Sequence, residues 1–344
     1  MNSKERIDAV IANKPVDRTP FCLVDGGAWI AKNENFSYRT LYGLEDGGAA
    51  KIVKWTDEIG TDIISAVSGA FTACLNAFGC PIHIDEIGQP VNAGVALHNP
   101  EEDIPKLDKS KIREILLSNK FVQNMLRQTR CIKESVGDRK YLLGDIAAPF
   151  TMAAVMTGTQ DFIMLMIDEP ELAEQLIDFT TCVSAETFHL LHENGCDIAL
   201  PADPVASGNL ISQKTYEEWA LPALEKLKKM IPEYRYFFAH VCGASGARIQ
   251  SLRNIGASAF SCDYAVDLSN ALHDAENKLV IMGNINPAGA LLRGTPQEVY
   301  AEASKQIKTA KGHSFILAPG CDLGSSTPLE NVKMLFKACQ DLAR

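Results

Sequence analysis

His240 and Cys242 in the run FFAHVCG, and Cys321 in LAPGCDLG seventy-nine positions after Cys242, are the residues of this chain whose types and spacing suit a metal ion. Both motifs close apolar runs that read as strands. Residues i and i+2 of a strand point the same way, so His240 and Cys242 can chelate one ion while Cys321 arrives from another strand. One imidazole and two thiolates leave the fourth position of a tetrahedral zinc ion open, the pattern of a catalytic rather than a structural site. Zinc held by two thiolates carries little net positive charge. It activates water poorly but suits a sulfur nucleophile, which loses its proton near neutral pH yet stays electron-rich. The expected chemistry is alkyl transfer to a thiol. A Cys–His nucleophilic dyad is the rival use of the same residues, and it leaves Cys321 without a purpose.

These side chains need a scaffold that brings distant strand ends together. Eight short β-leaning runs recur, at 20–24, 62–67, 141–144, 197–200, 235–239, 259–262, 279–282 and 314–318, with helical periodicity between most of them. That alternation predicts an α/β fold, a (β/α)8 TIM barrel, with residues 1–344 as a single domain and an N-terminal helical extension. Leu172, Leu176, Phe179, Val183, Thr187 and Leu190 recur at spacings of three and four and mark one outer helix. Thr295-Pro-Gln-Glu298 and Thr327-Pro-Leu-Glu330 each offer an N-cap, a proline at N1 and a capping-box glutamate. Thr215 opens a further helix through residue 230, which Pro222 should kink or divide. The stretch of about 68–137 is longer than one barrel helix needs, and an amphipathic region lies at 121–132. It reads as an inserted lid or subdomain between the second and third strands.

In such a barrel the chemistry gathers at the carboxyl ends of the strands. There stand Asp25, Asp145, Asp203, Asp263 and Asn284 beside the three metal ligands. Asp203, on the irregular DPVASG loop, and Asp263 are expected to act in catalysis. Asp263 serves either as a weak fourth ligand or as an acceptor for the His240 N–H. Asp25, Asp145 and Asn284 are expected to face substrate, although a carboxylate ending a strand often only caps the next helix or holds a turn. Cys262 should point into the wall. Cys74, Cys131, Cys182, Cys196 and Cys339 read as small apolar groups without chemistry.

Composition narrows the class. The 33 Lys and Arg against 43 Asp and Glu give a net charge of −10 with no basic block, so nucleic acid is not an expected partner. Ten scattered cysteines without CxxC pairs, and an N-terminus too polar for a signal peptide, predict a reducing cytoplasm. No apolar run reaches membrane-spanning length.

At this point the chain resembles the uroporphyrinogen decarboxylase superfamily, and within it the corrinoid-dependent methyltransferases of the methylcobalamin:coenzyme M type. The residues that carry the resemblance are KER (4–6), PVDRTP (15–20), DPVASG (203–208), HVCG (240–243), GNINP (283–287) and PGCD (319–322). It implies a TIM barrel in which His240, Cys242 and Cys321 ligate Zn2+. It also implies a small thiol acceptor such as coenzyme M, with another thiol or a pterin left open as the acceptor, and a methyl donor that is methylcobalamin or a corrinoid on a small corrinoid protein. Asp263 falls where related cobalamin-independent methionine synthases have a glutamate, one methylene longer. The decarboxylase branch fits less well, since its arginine-rich segment after the first strand is here VDGGAWIA (24–31). Two alternatives stay open: a metal-free decarboxylase, in which Asp25 or Asp203 polarises substrate, and a barrel that binds a corrinoid without chemistry. For the sulfonate of coenzyme M, Arg248 and the 243–246 turn are the nearest candidates.

Overall fold

The computed structural model describes residues 1–35, 37–41, 47–65, 70–83 and 91–343. Seven strands follow one another in a single parallel sheet in chain order: β1 (Ile63–Ser65), β2 (Tyr141–Ala147), β3 (Ile198–Ala202), β4 (Tyr236–Val241), β5 (Ala259–Cys262), β6 (Val280–Ile285) and β7 (Phe315–Pro319). Each is short and apolar, as strands covered on both faces must be. The expected eighth strand at 20–24 is reduced to a single bridge, Phe21 to Leu317. Pro20 has no N–H to extend a ladder. Even so, Cys22 N donates to Leu317 O (3.0 Å), Leu317 N to Pro20 O (2.9 Å) and Asp62 N to Phe21 O (2.7 Å). One segment therefore touches both outer strands, which requires the sheet to curl until its edges approach. Of the run expected at 62–67, residues 66 and 67 lie outside the described residues, as do 68 and 69 of the stretch that follows.

Period-two alternation divides the core. Cys22, Ile63, Leu143, Leu200, Phe238, Met282 and Ile316 face inward and form one cluster, which Ile7 and Val10 of the first helix, Ser3–Ile11, stopper at the N-terminal end. The intervening strand residues, Cys262 among them, pack outward against the helices. Helix Pro170–Glu193 buries Leu176, Phe179, Val183, Thr187 and Leu190, as its periodicity predicts. Between β1 and β2 stand helices Ala70–Ala77, Pro100–Asp103, Ile112–Ser118 and Lys120–Val136 and a short antiparallel pair, Ile82–His83 with Val91–Asn92. Cys131 is exposed, contrary to expectation, because the buried stripe of its helix runs through Val122, Met125, Thr129, Ile132 and Val136. Cys182 is half-buried, and Cys74, Cys196 and Cys339 are buried.

The caps separate cleanly. Thr295 and Glu298 form the capping box expected of them. Thr327 does not. Pro328 itself is the N-cap of helix Leu329–Asp341, accepting through its carbonyl from Asn331 N and Val332 N, and the Thr327 hydroxyl is buried without a partner. The helix expected from Thr215 starts three residues earlier, where the Ser212 side chain accepts from Thr215 N. A π-helical turn, Tyr216–Ala220, precedes Leu221–Met230. Pro222 cannot donate back along the helix, and the chain unwinds locally just ahead of it.

Candidate metal centre

β4 ends in His240 and Val241, with Cys242 just beyond, and Phe238 and His240 point inward together. Ser261, the residue paired with His240 on β5, sets the imidazole. His240 Nδ1 lies 3.0 Å from the Ser261 carbonyl oxygen and 2.9 Å from its hydroxyl. A carbonyl only accepts, so Nδ1 carries the proton and the lone pair on Nε2 faces Cys242 Sγ, 3.1 Å away. Cys242 Sγ is 3.9 Å from Cys321 Sγ. All three donor atoms lie within 4.8 Å of one another, and among the described residues they form the one such group of His, Cys and acidic side chains. Tetrahedral zinc with ordinary bond lengths would set its sulfurs about 3.8 Å apart and sulfur and nitrogen about 3.6 Å apart. The donors fit an ion of that kind.

Two close approaches hold the loops that carry the thiols. Gly243 has φ +69°, and a Cβ there would collide with the side chains of Asn209 and Ser207. A Cβ on Gly320 would lie 2.5 Å from Tyr264 N. Only glycine lets the loops after β4 and β7 lie this close to their neighbours. The two thiols share their protons unequally. The Cys321 thiol is drawn down by the hydrogen bond from Cys242 and by nearby His240, while Cys242 is pushed up by Cys321 and by burial.

The acidic residues divide. Asp145 faces inward on the side of β2 that carries Tyr141 and Leu143. Its Oδ1 is buried with no hydrogen-bond partner among the described residues. Burial, and then the charges of Asp25 and Cys321, push its carboxyl well above the usual range. Asp322, which the sequence reading left out, behaves alike, by burial and then by Asp25 and Cys321. Asp25 Oδ1 accepts from Gly26 N (2.7 Å) and Gly27 N (2.9 Å). Asp263 Oδ1 accepts from Ala265 N (2.8 Å), and Asp263 is not one of the clustered metal donors. The Asn284 side chain bridges the Asp263 and Val266 carbonyls at 3.1 and 2.7 Å, which braces the loop after β5. Ser261 had no signal in the sequence beyond its pairing with His240, which needs the strand register.

Asp203 is 2 % exposed and turned to the start of helix Pro149–Thr157, where its Oδ1 accepts from Thr151 N (3.0 Å) and the Thr151 hydroxyl (2.6 Å). Burial raises its pKa to about 6 against the pull of those hydrogen bonds. Between pH 4 and 6 native Asp203 holds more protons than an unfolded aspartate, so its contribution to stability falls as pH rises through that window and levels off above it. Asp203→Asn keeps an acceptor for Thr151 and buries no charge. Urea unfolding should find it more stable than the parent above pH 6, by up to about 3 kcal/mol, with the gap closing toward pH 4. Asp203→Ala, which strands the Thr151 N–H, should lose roughly 1–3 kcal/mol throughout.

With this geometry in hand, comparison with known proteins places the chain. A family model described as uroporphyrinogen decarboxylase (URO-D) matches residues 2–342. The chain belongs to the uroporphyrinogen decarboxylase family. Within the family it is 28% identical to methylcobamide:CoM methyltransferase MtbA of Methanosarcina acetivorans, over 98% of this chain and 97% of that one. It is 26% identical to uroporphyrinogen decarboxylase of Prochlorococcus marinus over 71% of this chain and 70% of that one. A solved methyltransferase structure from Methanosarcina mazei shares the fold, with a TM-score of 0.87, 23% identity and 99% of each chain covered. The PVDRTP, HVCG and PGCD segments thus lie within a match that spans nearly the whole chain.

Proposed function

We propose that this protein is a methyltransferase that moves a methyl group from a methylated corrinoid, free or carried by a small corrinoid protein, to a small thiol at a zinc site formed by His240, Cys242 and Cys321. The observation that carries the reading is the convergence of one imidazole nitrogen and two sulfurs within 4.8 Å. Similarity over 98% of the chain to a methylcobamide:CoM methyltransferase supports it. When bound, zinc supplies the positive charge that lets a thiol lose its proton near neutral pH, while two thiolate neighbours keep that sulfur electron-rich. The chain's own contribution is positional. Ser261 fixes the tautomer of His240, the glycine contacts fix the loops of Cys242 and Cys321, and the inward face of the sheet leaves the donors at one end of the barrel. The sulfur–carbon bond forms as the cobalt–carbon bond breaks, and the electron pair stays on cobalt.

The same reading takes the curled sheet as a (β/α)8 barrel, with 20–24 as its eighth stave, residues 1–344 as one domain and 68–137 as a lid. Among the described residues no single helix is long and apolar enough to cross a membrane, and all ten cysteines are free thiols, which suits a reducing cytoplasm. The test is optical. Methylcobalamin absorbance should convert to the demethylated form only when both the zinc-loaded protein and an acceptor are present. Conversion that ignores the acceptor, or that survives full removal of metal, would defeat the proposal and favour a metal-free activity of the family.

A further inference from the structure

We infer that the methyl acceptor carries a neutral or cationic, hydrogen-bond-donating group beside its thiol, and not a sulfonate or another anion. The inference rests on the methyl-transfer reading of the site, and it runs against the thiol in the relatives' names, since coenzyme M ends in a sulfonate.

Next to the donor triad the structure places acceptors of hydrogen bonds. Asp145 points into the barrel and its Oδ1 is buried without a partner among the described residues. An orphaned acceptor of this kind is relieved by a ligand that donates to it. Asp25, at the same end of the strands, is likewise an acceptor, taking Gly26 N and Gly27 N at 2.7 and 2.9 Å. A group that donates a hydrogen bond satisfies Asp145 Oδ1, whereas a sulfonate brings only acceptors.

The two anion-binding candidates visible in the sequence are already engaged. Arg248 is 1 % exposed. It donates to the Ala206 carbonyl (3.1 and 3.2 Å), the Ile211 carbonyl (2.8 Å) and the Gln213 side chain, and it stacks 4.6 Å over the Tyr216 ring. In the 243–246 turn, Ala244 N donates to Asn209 Oδ1 (2.8 Å) and Ser245 N to Gly243 O (2.7 Å). Neither feature is left to grip a sulfonate.

Three thiols of one skeleton test this: 2-aminoethanethiol, 2-mercaptoethanol and 2-mercaptoethanesulfonate, which differ only in a terminal ammonium, hydroxyl or sulfonate. Their binding to the zinc-loaded protein is measured by calorimetry at pH 7, for the parent and for Asp145→Asn, and methyl transfer from methylcobalamin is followed separately. The aminothiol should bind the parent at least tenfold more tightly than the sulfonate, and the ratio should shrink at least fivefold in Asp145→Asn. Comparing ratios between the two proteins cancels the intrinsic differences among the thiols. A sulfonate that binds the parent as well as the aminothiol, or a ratio that Asp145→Asn leaves unchanged, overturns the inference. Absence of methyl transfer with all three thiols counts against the proposed function, while the binding ratios still decide this inference on their own.

Discussion

Cys321→Ala is expected to bind less than a tenth of the parent's zinc, to unfold at nearly the parent's temperature, and to lose methyl transfer by roughly 10³-fold. The reasoning starts from place. Cys321 lies just past the end of β7, outside both apolar clusters, so its removal leaves the inward-facing residues from Ile63 to Ile316 packed as before. What it removes is one of three donors, 3.9 Å from Cys242 Sγ, and with it the third hold on the ion. His240→Ala should lose metal in the same way. Elemental analysis, thermal unfolding and the methylcobalamin assay together separate this outcome from a bracing role for zinc. In that case the melting temperature would fall sharply along with the metal content.

Asp62→Ala should cost about 3–5 kcal/mol of stability, the largest loss expected from any single carboxylate among the described residues. Asp62 is fully buried at the start of β1 and accepts five hydrogen bonds. They come from Ser3 (2.9 Å), Arg6 (2.6 Å), Arg18 twice (2.8 and 2.9 Å) and Phe21 N (3.0 Å). One carboxylate thus ties the first helix and the segment bridging the outer strands to the sheet. Without it the Arg6 guanidinium, 5 % exposed, keeps Asp17 but loses its buried counter-charge. Chemical denaturation would measure the loss. Activity below the melting temperature should survive, because these groups lie at the end of the barrel opposite the donor triad. A variant as stable as the parent would show that the cluster does not hold the barrel's N-terminal end.

Much of the fold was legible in the chain. The alternation of short apolar runs with helical periods placed seven strands within a few residues, and the Thr295–Glu298 capping box sat where its pattern put it. These features depend on residues within one or two turns of one another, and a linear reading reaches that far. Thr327 shows where it stops. Its motif matches that of Thr295, yet Pro328 takes the cap and the Thr327 carbonyl instead accepts from Trp29 Nε1 at 2.7 Å, across 298 residues of chain. Likewise Asp203 ends a strand as expected but turns to Thr151 on another element.

The three candidate donors could be named from the sequence alone, because only His, Cys and acidic side chains ligate zinc well, and a spacing of two on a strand fixes a shared direction. Folding decided the rest. The proton on His240 Nδ1 is set by strand register, and the carboxyl cluster around Cys321, the engagement of Arg248 and the five bonds on Asp62 each join segments far apart in the chain. Such contacts arise only when neighbouring strands pair and the sheet curls, steps that local patterning predicts in kind but not in atomic detail.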